Sequence, residues 1–541
     1  MLAKKSWIPP VILGVLALFV CFLHWKLLYA PFLTFSDSAK FADLAKNIVL
    51  GRGYGASFGL FDTRIIDAFN GHLLLTNIPP SFPFSISIFF RVFGITDYSV
   101  ILSSVTVYLA GAITLYFLGK KVFGELVGIL ASLAFIFDPA MLNYATSGAS
   151  EPLFIFEIIL VALLIYCAAT NFVYLNSKVF QFFGFFVLLL MYFTRPSAVI
   201  YIFGFALFFI FLRFRKKSQI LKVGGVAILV WLLSEAALVK FAGKYFLYSP
   251  ISSFIYGTAK FSPLAASTET LRGGMISAGF QIKPFISKFF YNLYNFYKLL
   301  PNILSPYLAA FFFLSLFRWE KEREKRIFRL IVLLMVAATF VATAAFLPIY
   351  RYLHPVVPFI YLLAIEMLVW VLTKLFKNPR KVWLTAFLLI FVFVIGQTLG
   401  KIFFDSRYLR AHTNPDKPPV YVQLSWLLKE NTNPDDLIIT NLDTWGSWYG
   451  ERKTIWFPLQ PSQLIPSEGK ELKIDAIYLT SYKMDDENYF MGEEWREIFY
   501  SSEEFEDPFF AENFELAGKF EIEPEETYER EGATAILLIK K

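Results

Sequence analysis

Two carboxylates stand out in this sequence because each lies beside a long apolar segment. Asp37 follows the first such segment, and Glu151 precedes a later one in the run Ser150-Glu151-Pro152. An ionised group at the edge of hydrocarbon is costly, so such groups usually serve binding or catalysis. A positioned carboxylate can remove the proton of an attacking hydroxyl. The pair therefore predicts acid–base chemistry at one surface of a membrane.

Structural roles are open for the same residues. Phe41, Leu44, Ala45 and Ile48 follow Asp37 at helical spacing, which places Asp37 just before a helix. A carboxylate at that position can cap the helix N-terminus. A helix cap and a catalytic base are therefore equally good interpretations of Asp37. Glu151 has the same alternative before Pro152, since proline favours the first helical turn. Arg195, before Pro196, is interpreted as structural or facing lipid headgroups.

The composition indicates a polytopic membrane protein. Of 541 residues, 57% are hydrophobic, 17% are charged and 63 are Phe, whereas soluble domains are about 45–50% apolar and about 25% charged. The net charge of +7 is divided unevenly, since the basic residues are concentrated before residue 405 and the acidic ones after it. That division is typical of membrane topology and argues against nucleic-acid binding. The two cysteines, Cys21 and Cys167, exclude a disulfide framework.

About 20 apolar residues cross a bilayer, and this rule predicts about eleven spans. The first is interpreted as a retained helix and not as a cleaved signal peptide. The apolar segment 81–93 is too short to cross and is expected at the interface. The predicted spans are 8–30, 97–118, 124–143, 152–173, 179–194, 197–212, 220–240, 298–317, 327–347, 355–373 and 382–403.

With these spans, every cluster of Lys and Arg falls on one side, which should be cytoplasmic. The transmembrane domain is predicted to be 1–404, with loops 31–96 and 241–297 facing outward. Residues 405–541 form a predicted extracytoplasmic α/β domain, in which 436–440, 474–480 and 533–539 are strands and 420–428 is a helix. The aromatic run 445–450 in this domain is interpreted as core packing in preference to a sugar-stacking surface.

Several short motifs occur in a familiar order along the chain. The series resembles the GT-C glycosyltransferases, in the branch of the protein O-mannosyltransferases and the lipid A aminoarabinose transferase. No single motif is specific for these enzymes, but the order of the motifs is. The motifs are Asp37 with its helix, Pro79-Pro80, Leu118–Gly124, Asp138-Pro139, Ala149–Phe154, Thr194-Arg195-Pro196-Ser197 and Tyr350–Pro355.

The resemblance implies transfer of a sugar from a polyprenyl-phosphate carrier to an acceptor outside the cytoplasm. It assigns Asp37 as the general base, Glu151 as support for the acceptor or the base, and Arg351 with Tyr352 as contacts of the carrier phosphate. Relatives often have a basic residue before the Pro-Pro pair, where this chain has Ile78. His72 and Arg64 are the candidate replacements in phosphate binding.

No cofactor is assigned. The four histidines are not spaced as a metal site, although Asp37 and Glu151 could share a divalent cation. The expected partners are the lipid-linked donor, an external acceptor and membrane lipids of the cell membrane, with the active site outside. Two alternatives stay open: a secondary transporter, and a lipid-linked-sugar binding protein without transferase activity. Transporters usually place ionisable groups near the bilayer midplane, in paired halves, which this sequence does not show.

Overall fold

The computed structural model describes residues 7–28, 32–60, 74–75, 78–170, 177–214, scattered positions in 216–240, 282–345, 349–404, 414, 416–442, 444–466, 473–486, 491–501 and 505–541. The helices before residue 405 are α1 (Ile8–Leu28), α2 (Ser36–Val49), α3 (Ser81–Phe93), α4 (Asp97–Val122), α5 (Glu125–Ile136), α6 (Pro139–Thr146), α7 (Glu151–Ala169), α8 (Ser177–Tyr192), α9 (Ala198–Arg213), α10 (Ile282–Lys298), α11 (Leu300–Ile303), α12 (Pro306–Ser315), α13 (Arg323–Ala345), α14 (Val357–Leu375), α15 (Pro379–Ile390) and α16 (Gly396–Phe404). A 3₁₀ turn, Tyr350–Val356, precedes α14, and a π-helical turn, Phe391–Ile395, joins α15 to α16.

The chain is a polytopic α-helical membrane protein. Among the described residues, six helices are long and apolar enough to cross a membrane, and one bent helix pair would make a seventh. Four shorter apolar helices, Ser81–Phe93, Val179–Tyr192, Ala198–Arg213 and Pro306–Ser315, accompany them. The predicted count of eleven spans is therefore not confirmed, whereas the multi-spanning class is.

One predicted span, 124–143, is broken in the middle. Helices α5 and α6 meet there at an angle of 59°. Asp138 causes the break, because its Oδ1 accepts from the backbone N–H groups of Ala140 at 2.9 Å and Met141 at 3.0 Å. It thereby caps a new helix, and Pro139, which lacks an N–H, opens that helix.

Other predicted spans also differ from the structure. The segment 298–317 divides into α11 and α12 at Ser305, whose hydroxyl donates to the Phe393 carbonyl at 2.8 Å. The predicted outer loop 241–297 ends in the amphipathic helix α10. The segment 220–240 lies largely outside the described residues.

Helices α4 and α5 pack closely through two glycines. A Cβ atom on Gly119 would lie 2.8 Å from the Cα of Gly128, and one on Gly128 would lie 2.6 Å from the Tyr116 carbonyl oxygen. Small residues allow membrane helices to approach in this way, so that backbone atoms make the contact.

Gly128→Ala should therefore destabilise the protein. Overpacking a tight contact typically costs about 1–3 kcal/mol, and the obstructing atom here is backbone. Thermal unfolding in detergent measures the effect. Gly400→Ala is the matched control, because a Cβ at that helical glycine meets nothing within 4 Å. Equal melting temperatures for the two variants would contradict the prediction.

The C-terminal domain contains a six-stranded sheet. Its strands are β4 (Leu437–Thr440), β5 (Lys453–Trp456), β6 (Ala476–Thr480), β7 (Phe514–Ile522) and β8 (Ala533–Lys540), joined by β2 (Phe58–Leu60). The order is β2-β5-β4-β6-β8-β7, parallel from β2 to β6 and antiparallel beyond. A separate two-stranded sheet pairs β1 (Gly55–Ala56) with β3 (Leu74–Leu75).

The helices of this domain are α17 (Val420–Glu430), α18 (Trp445–Trp448), α19 (Glu493–Tyr500) and α20 (Pro508–Asn513). The three predicted strands and the helix at 420–428 are confirmed. Trp445 and Trp448 are buried, as the packing interpretation predicted. Strand β2 was not anticipated, and through it the sheet combines residues from both sides of the predicted boundary at residue 405. That boundary stays a prediction.

Candidate active site

Helix α2 carries Asp37 near its N-terminal end. Its inner face is buried through Phe41, Leu44 and Ala45, which fixes the helix against its neighbours. The helix begins at Ser36, so Asp37 lies inside its first turn. Phe35 occupies the N-cap position without a side-chain hydrogen bond. The cap role considered for Asp37 is therefore not the one that the structure shows.

The Asp37 carboxylate is instead bound by two cations. Its Oδ1 lies 2.7 Å from Lys40 Nζ, and its Oδ2 lies 2.7 Å from Arg351 Nη2. Lys40 is one turn along the same helix, a spacing at which opposite charges attract. Sequence reasoning did not select Lys40, although this spacing was available as a signal.

The charge state of Asp37 follows from these contacts. Burial alone would raise the pKa of its carboxyl group, but the charges and hydrogen bonds of Lys40 and Arg351 outweigh burial and hold the pKa well below its usual range. Asp37 is therefore ionised at neutral pH. Its side chain is 29% exposed, so the ion pairs are accessible to a ligand.

Arg351 projects from the 3₁₀ turn before α14. One guanidinium nitrogen binds Asp37, and the guanidinium also lies over the ring of Tyr352, at 5.6 Å from the centroid. Its Nε is buried and has no hydrogen-bond partner among the described residues. An unused donor on a cation is a suitable group for binding an anionic oxygen.

Glu151 is the first residue of α7 and is 3% exposed. Its Oε1 lies 2.6 Å from Arg195 Nη2, which also donates to Ser150 Oγ at 2.9 Å. Glu151 lies within electrostatic range of both Asp37 and Arg351. The structure thus brings the two predicted carboxylates into one cluster of charges, and it shows Arg195 as the partner of Glu151.

A cavity of about 860 Å³ lies beside this cluster, and Phe35 and Arg351 form part of its wall. In another part of the wall, Tyr144 Oη lies 2.7 Å from His354 Nδ1, and His354 Nε2 lies 3.1 Å from the Asn302 carbonyl oxygen. These contacts fix the imidazole ring. The cavity is large enough for a sugar and a phosphate group.

A further part of the wall comes from distant positions in the chain. Gln397 and Lys401 of α16 line the cavity, as do Tyr528, Glu529 and Glu531 of the C-terminal domain. Burial raises the pKa of Glu529. The C-terminal domain thus adds the acidic residues Glu529 and Glu531 to a wall in which the residues before 405 supply Arg351 and Lys401 as well as Asp138. None of the lining residues from α16 and the C-terminal domain was selected from the sequence, because nothing local relates them to Asp37.

The remaining site predictions concern His72, Arg64 and a shared metal ion. His72 and Arg64 lie outside the described residues. Across the described part of the chain, no group of three His, Cys, Asp or Glu side chains is placed to hold a metal. Asp37 and Glu151 each contact cationic side chains, an environment that does not favour a shared divalent cation.

The family model described as dolichyl-phosphate-mannose-protein mannosyltransferase matches residues 77–236. ArnT from Cupriavidus metallidurans, solved with undecaprenyl phosphate, superposes with a TM-score of 0.51 at 10% identity, over 99% of this chain and 98% of that one. The chain has the GT-C fold. The predicted resemblance is thereby confirmed.

A second group of structures shares this GT-C fold. The oligosaccharyltransferase of Archaeoglobus fulgidus in the apo form matches with a TM-score of 0.56 at 12% identity, over 88% of this chain and 70% of that one. The oligosaccharyltransferase AglB from the same organism, in complex with an inhibitory peptide and a dolichol-phosphate, gives a TM-score of 0.53 at 11% identity, with the same coverage. No curated protein matches the sequence. Identities this low establish a common fold, so the function is argued from the site.

Proposed function

We propose that this protein transfers a monosaccharide from a polyprenyl-phosphate carrier to a hydroxyl acceptor on the extracytoplasmic side of the cell membrane. The observation that carries the proposal is the Asp37–Arg351 ion pair at the wall of the large cavity. It combines a carboxylate that can take a proton with a cation that can bind a phosphate. Solved GT-C proteins with polyprenyl or dolichol phosphate bound support the donor class.

Each charged group has a role in this reaction. The acceptor hydroxyl attacks the anomeric carbon while Asp37 takes its proton. The bond to the carrier phosphate breaks, and Arg351 stabilises the negative charge that the leaving phosphate gains. Tyr352 orients the guanidinium through the contact between ring and cation. A single displacement of this kind inverts the configuration at the anomeric carbon.

Glu151 supports this arrangement from the buried side. Its pairing with Arg195 keeps a negative charge close to Asp37 and Arg351. This charge attracts the Arg351 guanidinium and supports the base or the acceptor. His72 and Arg64 stay as candidates for additional contacts with the phosphate.

Native mass spectrometry of the purified protein tests the donor class. We expect undecaprenyl or dolichyl phosphate, with or without a sugar, to bind in preference to a phospholipid of equal charge. Incubation with labelled polyprenyl-phosphate sugars and extracytoplasmic fractions then tests transfer. Binding without transfer would favour the alternative of a lipid-linked-sugar binding protein, which the strong pairing of Asp37 also allows. Absence of binding would refute both.

The pH dependence of transfer should differ between free and bound protein. In the free protein the pKa of Asp37 lies below its usual range. Protonation of Asp37 therefore does not lower kcat/KM above about pH 4. A bound phosphate competes for Arg351 and Lys40, which raises the pKa of Asp37 towards its usual value. The acid limb of kcat is therefore expected at higher pH than that of kcat/KM. Initial rates at saturating and limiting donor measure both limbs, and the reverse order would contradict the assignment.

A further inference from the structure

The C-terminal domain contacts the chain just before Asp37 through side-chain hydroxyls. Leu33, four residues before Asp37, is fully buried. Its N–H donates to Tyr449 Oη at 2.7 Å, and its carbonyl accepts from Tyr421 Oη at 2.9 Å. Buried backbone groups need such partners. Both backbone groups of this residue are therefore satisfied by the C-terminal domain.

A second contact lies beside the catalytic carboxylate itself. The hydroxyl of Thr444 donates to the carbonyl of Ser36, the residue that precedes Asp37. Thr444 precedes α18, in the segment that follows strand β4. The carboxyl end of this parallel strand thus faces the first turn of α2.

Asp97, the first residue of α4, connects these contacts to the membrane domain. Its Oδ2 accepts from Tyr449 Oη at 2.8 Å, and its Oδ1 accepts from Trp448 Nε1 at 2.8 Å. The Tyr449 hydroxyl therefore donates to Asp97 and accepts from Leu33. A hydroxyl that donates to a carboxylate becomes a better acceptor, because hydrogen bonds in a chain strengthen each other.

The C-terminal domain also contacts the chain after helix α2, at strand β2. Strand β2 pairs with β5 of the C-terminal domain, and Thr454 N–H donates to the Ser57 carbonyl at 2.9 Å. The Ser57 N–H in turn donates to Asp43 Oδ2 on α2 at 2.6 Å. The C-terminal domain thus contacts the segment that carries Asp37 both before and after helix α2.

We propose that the C-terminal domain positions the Asp37 carboxylate against Arg351 by means of these hydroxyl contacts, with Tyr449 as the central positioning residue. The proposal rests on the transferase function proposed above. Without the Tyr449 hydroxyl, the Leu33 N–H loses its partner at 2.7 Å and keeps only its interaction with the Asp97 carboxylate, so the turn into α2 can shift. A displacement of about 1 Å at a reacting group can lower a rate by about 10²-fold.

Tyr449→Phe, Thr444→Val and Thr444→Ser test this role, with Tyr478→Phe as the matched control. Tyr478 is fully buried in the same domain, but its hydroxyl donates to the Leu424 carbonyl at 2.9 Å, away from the loop. We expect Tyr449→Phe to lower kcat by about 10- to 100-fold, with KM for the lipid donor within about twofold. Thr444→Val should lower kcat as well, and Thr444→Ser, which keeps the hydroxyl, should restore it.

Hydrogen exchange gives a readout that does not depend on activity. Amides in residues 33–45 should exchange about fivefold faster in Tyr449→Phe, the effect of losing one net hydrogen bond, while Tyr478→Phe leaves them unchanged. Unchanged exchange in this segment, an unchanged kcat in Tyr449→Phe, or an equal loss of kcat in Tyr478→Phe would overturn the positioning role. If the wild-type protein transfers no sugar, the proposed function fails, and the exchange comparison still decides whether the hydroxyl contacts hold the segment.

Discussion

Asp37→Asn is expected to lower sugar transfer by about 10²–10⁴-fold, the usual contribution of a general base. Asparagine keeps the shape of the side chain and accepts hydrogen bonds, but it cannot take the acceptor proton. Transfer of labelled sugar from a polyprenyl-phosphate donor measures the loss.

The same substitution should strengthen binding of the free carrier phosphate. In the wild-type protein, Asp37 competes with the ligand for Arg351 and Lys40. Removing its charge ends this competition, so native mass spectrometry should show tighter binding of undecaprenyl phosphate. Lost transfer with retained binding separates a catalytic defect from misfolding.

Glu125→Gln is the control for Asp37→Asn. Glu125 also pairs with a lysine, Lys120 at 3.0 Å, but it begins α5, away from the site. This variant should transfer sugar at the wild-type rate. If Asp37→Asn also retained a near wild-type rate, Asp37 would not be the base, and the ion pair with Arg351 would have a structural role.

Arg351→Gln is expected to weaken binding of the carrier phosphate by about 10- to 100-fold, the effect of losing a hydrogen bond to a charged group. Transfer should fall further, by about 10²–10³-fold, because the charge of the leaving phosphate is greatest in the transition state. Titration with undecaprenyl phosphate and initial rates of transfer measure the two effects separately.

Two further variants show whether this result is specific to the arginine at position 351. Arg351→Lys keeps the charge but lacks the planar fork of donors, so it should recover only part of the binding. Lys120→Gln removes a half-buried cation elsewhere and should bind the carrier as the wild type does. Full binding in Arg351→Gln would move the phosphate site away from this residue, towards Lys401 or the undescribed His72 and Arg64.

Asp37 remains ionised in these Arg351 variants. Loss of the arginine charge moves the pKa of Asp37 upward from its low value, but Lys40 still lies 2.7 Å from the carboxylate. The general base is therefore present in the charged form at neutral pH. A loss of transfer in Arg351→Gln then reports on the phosphate and not on protonation of the base.

The sequence determined the class of the protein because hydrophobic length is a local property. A segment of about 20 apolar residues crosses a bilayer whatever its neighbours are, and strands such as Ala476–Thr480 are recognisable by their short buried pattern. The positions of Asp37 after the first span and of Glu151 before a later span could also be identified from the sequence. These features predicted the polytopic class and both carboxylates of the candidate site, whereas the GT-C fold was predicted from the resemblance of the ordered motifs to that family.

Tertiary structure decided which charges meet. Asp37 and Arg351 are 314 positions apart, and Glu151 is paired with Arg195 and not with Arg351. No sequence pattern specifies such partners, because they depend on how whole helices pack. The same holds for Tyr449, which contacts Leu33 across 416 positions, and for strand β2, which leaves the first loop to join a sheet of the C-terminal domain. Local hydrophobic patterns determine the helices and strands. The ion pairs and hydrogen bonds that make Asp37 part of a candidate site arise only when distant helices and strands pack together.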